Sequence, residues 1–185
     1  SLSYIEHESR IVKPLNFPAA ATGAKTAFIE TENAKLAILC LVGQAFMSPA
    51  GFPLETIEAI LPEIKKITPN ILLDFHAEAT AEKRALAFYL DGKISVLLGT
   101  HTHIQTADEE ILPSGTAYIT DVGMTGPHDS IIGTQKQIIL EKIRTGIPRR
   151  FEVAETGLQI NAVIIEINDK IGKAVSIERI RRKIS

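Results

Sequence analysis

Ile71-Leu-Leu-Asp-Phe-His76 and Ile94-Ser-Val-Leu-Leu-Gly-Thr-His-Thr-His103 decide how this chain is read. Each opens with a short apolar run, the form taken by a strand covered on both faces of a parallel sheet. The segment between them reads as a helix. Thr80 is placed to cap its start, with Glu82 in the first turn. Ala85, Leu86, Tyr89 and Leu90 supply an apolar stripe, and Gly92 can end it. A strand, a helix and a strand of these lengths form a βαβ crossover, which makes the two strands parallel. Their carboxyl ends then share one side of the sheet, where α/β folds gather their functional groups. His76 directly follows the first strand. His101 and His103 follow the second. The reading brings three imidazoles to one rim, and in extended backbone His101 and His103 project to the same face.

Working outward, Thr26–Glu30 and Leu36–Val42 read as strands joined by a hairpin turn over Thr31–Lys35. Leu36–Val42 is continuously apolar, so it is expected to be buried on both faces, with Cys40 as a packed core thiol. Pro14 and Pro18 keep the lead-in over residues 10–24 irregular. Leu54, Ile57, Ile60, Leu61 and Ile64 form a helical stripe, which Pro62 is expected to kink or split. Thr116–Thr120 reads as a further strand and Ile131–Arg144 as a helix ended by Gly146 and Pro148. Leu158–Ile167 and Lys173–Ile180 read as a hairpin across Asn168–Gly172. Nothing resembles a linker or a repeat, so residues 1–185 are taken as a single α/β domain.

Composition narrows the function. Lys and Arg total 20 against 22 Asp and Glu, a formal net charge of −2, which gives no global electrostatic case for duplex nucleic acid or an acidic membrane. Hydrophobic residues make up 45%, enough for a real core. No apolar run approaches the ~20 residues that span a bilayer. One cysteine excludes an internal disulfide framework and suits the reducing cytoplasm. No signal-like start is visible. The first residue is Ser1, which points to processing or to a start elsewhere.

The histidines carry the chemistry. Imidazole suits Zn, Fe, Ni and Cu, and with carboxylates also Mn. His76, His101 and His103 are the metal-ligand candidates. His7 and His128 read as structural. A ligating imidazole needs an acceptor for its other nitrogen. Asp74, Glu78, Asp108 and Asp121 lie near the rim in sequence. Asp121 reads either as a turn cap or as a carboxylate behind a ligand or facing substrate. Cys40 has no histidine near it in sequence, and no serine sits in a G-x-S-x-G elbow, so a nucleophile reading fails. There is no G-x-G-x-x-G and no P-loop.

Three segments are similar to the YmdB-like group of bacterial metallophosphoesterases, of the calcineurin-like superfamily. They are Asp74-Phe-His-Ala-Glu-Ala-Thr80, Gly99-Thr-His-Thr-His-Ile-Gln-Thr-Ala-Asp108 and Gly115-Thr-Ala-Tyr-Ile-Thr-Asp-Val-Gly-Met-Thr-Gly-Pro127. Arg10–Pro18 and Arg150–Ala154 extend the likeness along nearly the whole chain. Gly-Thr-His-Thr-His matches the superfamily's G-H-x-H site in form. The resemblance implies part of a four-layer α-β-β-α sandwich of metallophosphoesterase type with mixed sheets. It implies two divalent transition metals (Fe, Mn or Zn), with His76 and His101 as ligands of one and His103 of the other. Asp74 and Asp121 fall outside the ligands, behind them or toward substrate. It also implies hydrolysis of a cyclic nucleotide or related phosphodiester by a metal-activated water.

The family's earlier Gly-Asp, Glu-Asn and Gly-Asn-His segments are missing here. They supply an aspartate ligand, a bridging glutamate, an asparagine ligand and the acid–base histidine. Glu32-Asn33 matches the second in letters only and falls in a hairpin turn. The chain therefore resembles the carboxyl-terminal portion of such a domain, with no catalytic residue identified in it and the acid–base histidine expected upstream. Alone it is expected to be inactive, and to meet an amino-terminal half or a second copy of itself through an uncovered sheet edge or apolar face. Two other readings remain open: a non-catalytic remnant serving as a metal-binding or partner-binding scaffold, and a self-contained three-histidine zinc hydrolase.

Overall fold

Residues 2–184 are described by a computed structural model. A short helix α1 (Leu2–His7) precedes the irregular lead-in. Asn16 pins that lead-in to the sheet: its amide donates to the Val42 and Gly51 carbonyls, and its oxygen accepts the Val42 N–H. Strands β1 (Ala27–Glu30) and β2 (Lys35–Val42) pair antiparallel, as the hairpin reading requires. Thr31 closes the turn between them by accepting the Ala34 N–H on its hydroxyl.

Helix α2 (Pro53–Ile67) runs through Pro62 without dividing, contrary to a split there. Pro62 and Glu58, whose carbonyl loses its helical partner, both lie on the exposed face, so water can take up that carbonyl. Strand β3 (Asn70–His76), helix α3 (Thr80–Leu90) and strand β4 (Val96–Thr100) form the expected crossover, and β3 and β4 are adjacent and parallel. The buried stripe of α3 differs from expectation. It is Lys83, Leu86, Ala87 and Leu90, while Ala85 and Tyr89 face out. After β4 come the two-residue β5 (Glu110–Ile111), which periodicity did not reveal, then β6 (Ala117–Ile119) and β7 (Gly126–Pro127).

Helix α4 (Lys136–Thr145) starts later than residue 131. Ile132 and Gly133 have φ of 45° and 97°, and Ile131 and Thr134 exchange hydrogen bonds in a tight turn, so that stretch is not helical. Gly146, in left-handed geometry, ends α4 as expected. Strands β8 (Leu158–Asn168) and β9 (Lys173–Lys183) form the expected hairpin, with a register shift at Glu166/Ile167.

Among the described residues the strands make two sheets. The first has the order β1-β2-β3-β4-β6-β5, with β2, β3, β4 and β6 mutually parallel; the second is β7-β8-β9. The fold is mixed α/β with mixed sheets. Helices α2 and α3 seal one face of the larger sheet through Ile57, Leu61, Ile64, Leu86 and Leu90 against Leu39, Leu41, Leu73, Phe75 and Leu97. The smaller sheet covers part of the other face, where Ala174, Ile165, Ile167 and Ile177 pack on Val96, Ala117, Leu72 and Leu98. Because this cover is partial, Leu36, Ile38 and Cys40 are only half-buried. The expectation of a strand and a thiol sealed on both faces is corrected accordingly. The outward face of the smaller sheet leaves Leu158, Ile160 and Ile164 exposed. No helix among the described residues is long and apolar enough to cross a membrane.

Candidate metal centre

Strands β3 and β4 end in register, with His76 opposite Thr100. The crossover topology brings the last residue of one and the first residues after the other to the same point. Thr100 donates its hydroxyl proton to Asp74 Oδ1 at 2.8 Å, so it accepts from His76 Nδ1 at 3.0 Å. That assigns the His76 proton to Nδ1 and the lone pair to Nε2. On the other side, Glu78 Oε2 stands 3.1 Å from His101 Nε2. A carboxylate only accepts, so His101 carries its proton on Nε2 and its lone pair on Nδ1.

The two remaining nitrogens, His76 Nε2 and His101 Nδ1, face each other at 3.1 Å, with the rings at 86°. Two inward lone pairs need a cation between them, a proton or a metal. Burial is the main cause that pushes the His76 imidazole below its ordinary pKa. Two imidazole nitrogens each ~2.1 Å from one ion at a right angle lie ~3 Å apart. The donor pair thus fits a shared divalent ion, with each ring held from behind by an oxygen acceptor as metal-ligating histidines are. Burial raises the pKa of Asp74, and its hydrogen bond from Thr100 works against that rise.

His103 does not join this pair. His101 and His103 have φ of 117° and 65°, so the segment is a bent turn and not the extended backbone that the same-face reading requires. His103 is exposed, and its Nδ1 donates to the Ile132 carbonyl at 3.0 Å, which leaves the Nε2 lone pair facing outward. Among the described residues, no three His, Cys, Asp or Glu side chains converge on one ion. The expected meeting of three imidazoles holds for two.

Asp121 is buried and touches neither ring. Its Oδ1 accepts the Gly123 N–H, the turn-cap role, while Oδ2 accepts the Thr102 N–H at 2.9 Å from between the two strained histidines. The same Oδ2 receives Lys83 Nζ at 3.1 Å, a fully buried ion pair. Sequence reasoning missed Lys83. Its signal was there: a lysine at i of the i, i+3, i+4, i+7 stripe completed by Leu86, Ala87 and Leu90. Asp108 stands apart, taking hydrogen bonds from Thr120. His7 bonds the Ser3 carbonyl and His128 the Met124 carbonyl, both structural contacts.

The chain has mixed sheets flanked by helices, with imidazoles at the carboxyl ends of parallel strands, and its structural neighbours include a phosphatase. A novel phosphatase of Mycoplasma pneumoniae superposes with a TM-score of 0.90 at 33% identity, over 98% of this chain and 66% of that one. A protein of Thermus thermophilus described as hypothetical superposes with a TM-score of 0.91 at 37% identity, over 97% of this chain and 70% of that one. The chain belongs to the family described as YmdB-like protein, whose pattern matches residues 1–180. It is 46% identical over 177 residues to the 2',3'-cyclic-nucleotide 2'-phosphodiesterase of Bacillus subtilis (strain 168), covering 96% of this chain and 67% of the relative. The chain thus falls among enzymes of the phosphoesterase kind, and spans about two thirds of the length of the curated relatives it matches.

Proposed function

We propose that this chain is the histidine-bearing portion of a metal-dependent phosphodiesterase that hydrolyses a cyclic nucleotide or a related small phosphodiester. The observation that carries the reading is the approach of His76 Nε2 and His101 Nδ1 to 3.1 Å at the ends of two adjacent parallel strands. His76 and His101 would hold one divalent transition metal, Fe, Mn or Zn. His103, with its outward Nε2, would hold a neighbouring one. When bound, these cations supply the charge that activates water as nucleophile and neutralises the transferred phosphoryl group. The chain's own residues do the holding. Asp74, through Thr100, fixes the His76 ring, and Glu78 fixes His101. The substrate class follows the name of the Bacillus subtilis relative. The remaining donors and the acid–base histidine are assigned to the part of the relatives' length that this chain does not span. The free thiol of Cys40 supports a reducing, cytoplasmic setting.

The test is metal content by elemental analysis after loading with Mn²⁺ or Zn²⁺. His76→Ala and His101→Ala are expected to reduce bound metal to background. Unchanged content would overturn the site. The chain alone is expected not to hydrolyse bis-p-nitrophenyl phosphate with added Mn²⁺. Robust turnover would favour a self-contained hydrolase instead.

A further inference from the structure

We propose that Lys83 is a positioning residue: its buried ammonium, paired with Asp121, holds the turn that presents His101 and His103. The turn needs such support. Two non-glycine residues with positive φ in one three-residue stretch are a strained arrangement, kept only where the surroundings impose it. The residue between them, Thr102, gives its N–H to Asp121 Oδ2. The Asp121 backbone adds to the hold, since its carbonyl accepts from Thr106 and its N–H donates to the Thr106 hydroxyl. The residues after the turn are thereby laced to the strand end that carries Asp121.

A carboxylate this deeply buried requires a counter-charge. Lys83 supplies it from the far side of the sheet layer. Its route passes Gly99 of β4. A Cβ at Gly99 would stand 1.7 Å from the Thr120 carbonyl oxygen and 3.0 Å from Lys83 Cδ, so only glycine leaves room for both the strand contact and the lysine stem. The helix that links the two histidine-bearing strands thus also braces the turn that follows the second. The preceding residue does a parallel service: Glu82 accepts the N–H groups of Gln44 and Ala45 in the loop after β2. Adjacent charged residues at the start of α3 tie down two different rim loops.

The inference rests on the functional reading of His101 and His103, and the experiment separates the two. Metal-free ¹H–¹⁵N spectra of the 185-residue chain report the Thr102 amide and the imidazole nitrogens. A Zn²⁺ titration by calorimetry reports the site. Lys83→Met is expected to move the Thr102, His101 and His103 signals and to weaken Zn²⁺ binding by about tenfold or more, in the range of lost ligand support. Lys83→Arg is expected to restore the signals in part, and Glu82→Gln to leave them in place. If Lys83→Met does not fold, Lys83→Met/Asp121→Asn removes the uncompensated charge and reports the same signals. The two single changes are expected to be non-additive, because one pair carries both effects. Wild-type Thr102 and histidine signals in the lysine variants, or additive effects, would overturn the proposal. Moved signals in a chain whose wild type binds no Zn²⁺ would uphold the positioning role and overturn the metal reading.

Discussion

The two faces of the larger sheet differ although both are built from the same strands. On the helix side, Ala37, Leu39, Leu41, Ile71, Leu73, Phe75 and Leu97 are fully sealed. On the other side, the alternating residues Leu36, Ile38, Cys40, Asp74, His76 and Thr100 are half-buried. The sealed face contains only hydrocarbon at these positions, and the half-open face carries the thiol, the carboxylate, the imidazole and the hydroxyl. Stability and chemistry are divided by the two-residue period of the strand. A residue's role in β3 follows from its parity: Leu73 and Phe75 hold the helices, while Asp74 and His76 build the candidate metal centre.

The most demanding test of the half-open face is Cys40. Burial, and then the nearby charge of Asp74, push its thiol up to about 12. The reactive species is the thiolate. At pH 8 the folded chain should therefore react with iodoacetamide on the order of a thousandfold more slowly than the urea-unfolded chain, whose thiol titrates near ~8.5. The rate should climb steeply as pH rises toward 12. Similar rates for folded and unfolded chains would mean that this face is as wet as bulk surface, and the contrast between the faces would become absolute.

Next in size is a pair of neighbours. Leu39→Ala opens a cavity in the sealed layer and should cost roughly 2–5 kcal/mol in urea unfolding. Ile38→Ala, one residue away and half-buried, should cost about 1 kcal/mol, because less apolar surface leaves water at that site on folding. Equal losses would break the comparison and show that something covers the second face in solution.

The parity was legible in part. Apolar runs with a helical stripe between them suffice to infer a parallel crossover, and His76 then falls on the rim because it ends its strand. What single-strand patterns do not carry is how completely each face is covered. Leu36–Val42 is apolar at every position, so its alternation of sealed and half-open residues depends on the reach of the β8–β9 hairpin, more than a hundred residues later. The bend at His101–His103 was hidden for a related reason. Its middle residue, Thr102, gives its amide to Asp121, nineteen positions away. Lys83 escaped notice because a lysine on a helix is normally solvated, and only its place on an apolar stripe marks it as buried. The short β5 offers two residues, too few for any period.

The smallest expected effect concerns the far side of the smaller sheet. Its inward residue Ile165 packs against the larger sheet, while Ile160 and Ile164 point outward at 37% and 58% exposure. Ile165→Ala should cost roughly 1–2 kcal/mol as a partly buried truncation. Ile160→Thr/Ile164→Thr should change unfolding free energy by no more than about 0.5 kcal/mol, the range of surface substitutions. The outward change should act on association instead. A row of exposed branched side chains on a sheet face favours contact with a second apolar surface. Light scattering of the wild-type chain should thus show mass rising with concentration, and the double threonine variant should flatten that rise. A concentration-independent monomer mass for both would show that the outward face is tolerated bare. A destabilisation by the threonines as large as that of Ile165→Ala would show that it is covered even in the monomer.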